Sequence, residues 1–269
     1  MDHSAKLRKE IRERAERFAN TVGASHYLSR GDPGVVLFEP TSGAISHGNF
    51  CRSSYAAITE NPQWNSRLQK PHSQQKSLPD DKAMSARELD SSNSSDALLM
   101  NCFCFPGGAK ILLAALGVQT RGAAPEFGFK ARIPLADETQ DATEIDMRVG
   151  DNLFEAKLCE KDFTSRLTDH VKRYRDLDKV FDVRALPLVQ GQFTGYQLIR
   201  NVLAAAHHQA SLFVLIDERR PDLLQEWWRI HSAIRDTDLR LRCGFRTWQE
   251  IAGVSPPELR TFLGEKYGL

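Results

Sequence analysis

The chain has 269 residues, 41% hydrophobic and 26% charged, and its 36 Lys and Arg against 35 Asp and Glu leave a formal net charge of +1. This is the profile of a globular α/β protein of one large domain, or of one domain with a helical addition, and it excludes disordered, collagenous and disulfide-stapled classes. The near-neutral balance lacks the basic footprint of most nucleic-acid binders, although acidic metal ligands can mask a local basic groove.

No run of about 18 apolar residues occurs, so no membrane partner is expected. The N-terminus MDHSAKLRKEIRERAERFAN is charged and has no apolar signal core, so a cytoplasmic location is expected. The cysteines are Cys51, Cys102, Cys104, Cys159 and Cys243, an odd set with no CxxC pair. Packed, reduced thiols are expected from it, not a zinc cluster.

Residues 5–22 read as an amphipathic helix through Leu7, Ile11, Phe18 and Val22. Residues 23–95 carry few periodic signals. The stretch 61–96, rich in Ser, Gln, Asn and Pro, reads as a long connection that wraps a domain or stays partly disordered. The expected organisation is therefore an N-terminal helix and irregular wrapping segment over 1–93, then an α/β domain over 94–269 with a C-terminal helical extension. Ser94, Ser95 and Asp96 offer N-cap chemistry for a helix that Pro106-Gly107-Gly108 interrupts, and a second short helix ends at Gly117.

Strands are predicted over 127–135, 143–149 and 153–158, and a charged helix over 163–177. A helix over 194–208 precedes the continuous apolar run 211–216, which reads as a buried central strand. Helices over 221–234, 247–252 and 257–267 close the chain. A central sheet flanked by helices, with extra N- and C-terminal helices, is the expected architecture.

The second and third strands alternate strictly around Gly150-Asp151. Ile145, Met147 and Val149 share one face with Phe154, Ala156 and Leu158. Glu144, Asp146 and Arg148 share the other with Leu153, Glu155 and Lys157. A turn at Gly150-Asp151 sets Asp146 opposite Glu155 and Glu144 opposite Lys157; a turn at Asp151-Asn152 sets Asp146 opposite Lys157. Directly opposed Cβ atoms lie roughly 4.5–5.5 Å apart, so paired carboxylates there ask for a cation or a proton between them. Oxygen ligands suit Mg²⁺ or Mn²⁺. Asp146 and Glu155 would ligate the metal with the Ala156 carbonyl, and Lys157 would orient or deprotonate water and steady the transition state. A surface hairpin with ordinary cross-strand ion pairs fits the same pattern.

The segment TEIDMRVGDNLFEAKL resembles the core of the PD-(D/E)XK, or restriction-endonuclease-like, nuclease superfamily, over residues 94–217. By that resemblance Asp146 takes the motif's Asp and Glu155-Ala156-Lys157 its (D/E)XK, with Ile145 where the motif's Pro would stand. The blocks DALLMNCFCFPGG, EAKLCEKDF, GYQLIRNVLAAAHH and DERRPDLL are similar to bacterial proteins described as restriction endonucleases of this superfamily. The resemblance implies a Mg²⁺-dependent endonuclease acting on DNA, with Gln197 from a neighbouring helix joining the catalytic set. A non-catalytic nuclease-like module that binds nucleic acid or protein is the alternative. A homodimer is a guess drawn from duplex cutters.

Other polar residues carry two readings each. Arg200 and Asn201 share a helical stripe with Gln197 and could reach substrate, as could Glu144. Glu126 could add a carboxylate to the metal or lie on a surface loop. His207 and His208 suit a helix C-terminus better than a metal. Trp227, Trp228 and Trp248 could stack bases or pack in a core. Arg219, Arg220, Arg240, Arg242 and Arg246 could contact phosphates or pair with nearby acids.

Overall fold

The computed structural model describes residues 2–40, 46–73 and 75–269. They form two compact units, Met1–Pro125 with Trp248–Leu269, and Glu126–Thr247.

The first unit opens with helix α1 (His3–Val22), capped by Asp2, whose side chain accepts the Ala5 amide at 3.0 Å. Leu7, Ile11, Ala15 and Ala19 form its buried stripe, and Gly23 ends it at φ 66°. Strands β1 (His26–Leu28) and β2 (Val36–Phe38) pair antiparallel, and helices α2 (Arg52–Glu60) and α3 (Pro62–Arg67) follow. The connection expected to be irregular is therefore partly ordered. The Asn61 side chain caps α3, and Leu68, Leu78 and Leu89 are buried. Ser94 caps α4 (Ser95–Phe103), accepting the Ala97 amide at 3.2 Å. Pro106-Gly107 separates it from α5 (Gly108–Ala115), as the sequence predicts. These two helices, expected within the sheet domain, group with the first unit. Among the described residues no single helix is long and apolar enough to cross a membrane; α4 and α5 together are, but they bend by 95°.

The second unit is built on β3 (Glu126–Lys130), the short β4 (Ile133–Pro134) and β5 (Gln140–Asp141), β6 (Glu144–Val149) and β7 (Asn152–Ala156). The first predicted strand ends early because Arg132 sits at φ 50°, which breaks the pleat before β4. The predicted charged helix over 163–177 is a correction. That segment forms β8 (Ser165–Leu167), helix α6 (Thr168–Val171) and the approach to α7 (Leu177–Val180). Thr164 at φ 59° cannot start a helix, and β8 pairs instead with β10 (Gln192–Thr194), which also pairs with β9 (Leu188–Val189). Helix α8 (Tyr196–His207) and strand β11 (Ser211–Ile216) match the predicted elements. Then come α9 (Pro221–Ser232), α10 (Thr237–Arg242) and the unanticipated strand β12 (Cys243–Thr247).

The main sheet has the order β12-β11-β7-β6-β3. β11 runs parallel to both β12 and β7, while β6 is antiparallel to β7 and to β3. The fold is thus mixed α/β. β7 and β11, the most continuously apolar strands, take central positions because both their faces are covered. Ile145, Leu153, Leu212 and Val214 join Leu198, Val202, Trp227 and Ile230 of α8 and α9 in one core. Each such side chain contributes roughly 1.5–3 kcal/mol.

The first unit closes with α11 (Trp248–Val254) and α12 (Pro257–Tyr267). Lys266 of α12 is 0% exposed. Its ammonium donates to the Asn49 carbonyl at 3.0 Å, to Asn49 Oδ1, and to the Tyr267 hydroxyl at 2.8 Å. The rings of Phe38, Phe262 and Tyr267 surround it at 5.3, 5.3 and 4.3 Å. Burial pushes its pKa well below the ordinary value. Asn101 ties the same region together, taking the Cys51 amide at 2.7 Å and donating to the Asn49 carbonyl at 3.1 Å. All five cysteines are buried and free. Burial raises the Cys51 thiol to about 11 and the Cys243 thiol to about 12, leaving both protonated and unreactive.

Candidate active site

The hairpin adopts the first of the two predicted registers. Val149 pairs with Asn152, Arg148 with Leu153 and Met147 with Phe154 across Gly150-Asp151. Gly150 stands at φ 59°, a conformation that favours glycine. The pairing ends at Met147–Phe154, and Ile145 joins the core that holds Leu153, so the strict alternation predicted for this strand breaks at Asp146. The β3–β6 pairing passes from Phe127–Met147 to Phe129–Ile145, and Gly128 lies between them at φ 68°. At this level the Asp146 side chain takes over a backbone role: its Oδ2 accepts the Ala156 amide at 2.8 Å.

Glu155 is the hub. It is 1% exposed, beneath α8. Its Oε1 accepts from Lys157 Nζ at 2.9 Å and from Gln197 Nε2 at 3.1 Å. Its Oε2 accepts from Asn201 Nδ2 at 2.7 Å and lies 4.0 Å from the Arg200 guanidinium. Burial alone would raise its pKa; the Lys157 and Arg200 charges, with the hydrogen bonds from Lys157 and Asn201, outweigh burial and keep it below the ordinary carboxylate value. Lys157 is 6% exposed and lies 5.5 Å from the Phe163 ring centroid. Burial would lower its pKa, but the charges of Glu155, Glu160 and Asp146 hold it above the ordinary 10.5. The site therefore keeps a buried carboxylate ionised beside a charged ammonium.

The structure brings Asp146, Glu155, Lys157, Gln197, Arg200 and Asn201 together. Arg200 and Asn201, expected beside substrate, are buried. Arg200 donates to Asn201 Oδ1 and to the Glu144 carbonyl, both at 3.0 Å, so these two residues hold Glu155 in place. Glu144 thus meets α8 through its backbone; it pairs with Lys130 on β3. Glu126 is exposed and pairs with Arg148, two residues along the strand from Asp146.

Glu160 was not singled out from the sequence, and Arg220 was named only as a phosphate or acid partner. Glu160 accepts the Leu158 amide at 2.6 Å and contributes to the field at Lys157. Arg220, fully buried, donates to the carbonyls of Leu158, Glu160 and Lys161 at 3.4, 2.6 and 2.9 Å, and pins the loop after Lys157. A polar charge inside DERRPDLL was the available signal. Arg219 pairs with Asp217 at 2.6 Å and Arg220 with Asp222 at 2.7 Å, so both arginines follow the acid-pairing reading. Trp227 and Trp248 are buried, whereas Trp228 is half exposed. His208 contacts the Ala131 carbonyl at 2.7 Å.

A hard divalent cation calls for oxygen donors. Among the described residues no three His, Cys, Asp or Glu side chains gather for a metal. The carboxylates of Asp146 and Glu155 and the Ala156 carbonyl are nevertheless oxygen donors on adjoining strands. Three hydrogen-bond donors occupy Glu155, fewer than its roughly four lone-pair sites. Gln197 Oε1 is buried with no hydrogen-bond partner, an acceptor suited to a water of hydration.

No curated protein and no solved structure matches the chain. One family model does, described as restriction endonuclease associating with ARP, and it spans residues 29–268, which include the hairpin and every residue of this site. By that match the chain belongs to the family of restriction endonucleases associating with ARP, and its resemblance to restriction-endonuclease-like proteins holds.

Proposed function

We propose that this protein is a metal-dependent endonuclease that hydrolyses phosphodiester bonds of DNA. The observation that carries the reading is Glu155, buried and ionised, gripped by Lys157, Gln197 and Asn201, next to Ala156, whose amide Asp146 accepts. Asp146, Glu155 and the Ala156 carbonyl would hold Mg²⁺ or Mn²⁺, which when bound polarises the phosphate and acidifies a water.

The chain's own groups do the rest. Lys157 presents a cation to the phosphoryl oxygens as negative charge builds on them. Gln197 Oε1 accepts a hydrogen from the attacking water and so aims its lone pair at phosphorus. The water's oxygen forms the new P–O bond and gives its proton to solvent, the old ester bond breaks, and the departing sugar oxygen takes a proton from solvent. Asn201 and Arg200 keep Glu155 from turning away. The same reading places the work in the cytoplasm. Association with ARP, which the family's description states, is a partner proposal for this chain.

The test is cleavage of supercoiled, linear and single-stranded DNA and of RNA with Mg²⁺ or Mn²⁺, alongside Asp146→Asn. We expect DNA cleavage to fall about a thousandfold or more in the variant, with an unchanged Tm because Asn can still accept the Ala156 amide. Mn²⁺ should raise the Tm of the wild type and not of the variant. Wild-type protein that binds DNA but never cuts it would move the reading to a non-catalytic binding module.

A further inference from the structure

A cleft of about 660 Å³ opens in the second unit, beside the catalytic helix. That volume is in the range of small-ligand sites. Its wall includes Gln197 and Arg200 of α8, and Gln197 Nε2 lies 3.1 Å from Glu155 Oε1, so one side chain links the cleft wall to the buried carboxylate. Its rim also carries Arg166 on β8, His170 on α6, and Arg173 just beyond.

Only one carboxylate lines the cleft, Asp141, and it is engaged. It accepts the Thr143 amide at 2.8 Å, the Thr143 hydroxyl at 2.5 Å and the Tyr174 hydroxyl. Arg166 is exposed, lies 5.5 Å from the Tyr196 ring centroid, and pairs with no carboxylate among the described residues. Arg173 pairs with Asp137 at 3.3 Å, but both side chains are about half exposed, so water and salt loosen that pair. A chain of net charge +1 thus gathers three guanidiniums and an imidazole around one cavity.

The aromatic groups decide what kind of anion fits. Tyr174 and Tyr196 are 3% and 6% exposed, and their hydroxyls bond to each other at 2.8 Å. Their ring faces are not available for stacking on a base. The cleft offers guanidinium forks and hydroxyls, the chemistry that recognises phosphate.

We propose that the cleft seats a backbone phosphate of the nucleic-acid strand, next along from the phosphate at Glu155, with Arg166 as its main ligand and His170 and Arg173 flanking it. The identity of the strand as substrate rests on the nuclease reading; the anion site does not.

The test is fluorescence anisotropy of labelled duplex and single-stranded DNA on the full chain, in EDTA and over a range of KCl. Arg166→Gln should weaken binding about tenfold and flatten the salt slope by about one unit, and Arg173→Gln should do less. Arg166→Lys, which keeps the charge, should retain most of the slope. Wild-type affinity and slope in Arg166→Gln would overturn the proposal. So would a cleft that takes inorganic phosphate or a nucleoside monophosphate through Arg166 while DNA binding ignores that residue. Arg166-dependent binding by a wild type that cuts nothing would support the cleft and sink the nuclease reading alone.

Discussion

Each unit of the molecule buries a lysine, and the two are stabilised by opposite means. Lys157 lies against ionised Glu155 at 2.9 Å, within the field of Glu160 and Asp146, and its charge is reinforced. Lys266 has neutral oxygens and ring faces around it, no carboxylate pairs with it among the described residues, and burial drives its pKa down. Burial itself therefore does not decide whether an ammonium stays charged; the formal charge of its neighbours does. The paired lysine stays charged beside its carboxylate. The caged one satisfies the acceptors of a packed core.

The largest expected effect is at the paired lysine. Lys157→Met should lower DNA cleavage about a thousandfold. It should also cost about 3 kcal/mol of stability, because Glu155 loses its nearest cation while staying buried. Urea denaturation with a wild-type midpoint would show that Arg200 and Asn201 suffice to hold the carboxylate, and the contrast between the lysines would narrow. Lys266→Met should leave cleavage unchanged and cost about 1–2 kcal/mol, the penalty for an unsatisfied Asn49 Oδ1. A loss equal to that of Lys157→Met would mean that the caged lysine works as a charge after all.

The smallest effect is on pH dependence. Lys266 has a lower pKa folded than unfolded, so between those two values the unfolded chain binds more protons. Its contribution to stability is therefore present above the ordinary 10.5 and is lost as pH falls through the folded value. Urea midpoints of the wild type should rise with pH across that window relative to those of Lys266→Met. Parallel profiles would count against the cage.

The candidate hairpin was legible because two alternating strands flank Gly150, so either plausible turn was expected to put the same three charges on one face. Gln197 was legible from its helical stripe, and the strand at 211–216 from its unbroken apolar run. What escaped the sequence shares one physical cause, which is dependence on distant partners. β8, β9 and β12 are short and lack strict alternation, and their pairing comes from strands elsewhere in the chain. Arg220 reads as one charge in a charged run until its three carbonyl partners, about 60 residues earlier, are in place. Lys266 looks like an ordinary amphipathic-helix lysine, and the acceptors that explain it lie 217 residues away.

That last separation bears on how the protein is made. The sheet unit, Glu126–Thr247, is one continuous stretch, whereas the other unit needs segments from both sides of it. During synthesis Asn49 and Asn101 emerge first and wait while the whole sheet unit is translated, roughly ten seconds at ordinary elongation rates. The hairpin and α8 can assemble in that interval, since every partner of Glu155 is encoded between residues 157 and 201. A ribosome stalled before Trp248 would hold a chain with every partner of Glu155 already made and the acceptors of Asn49 still lacking Lys266.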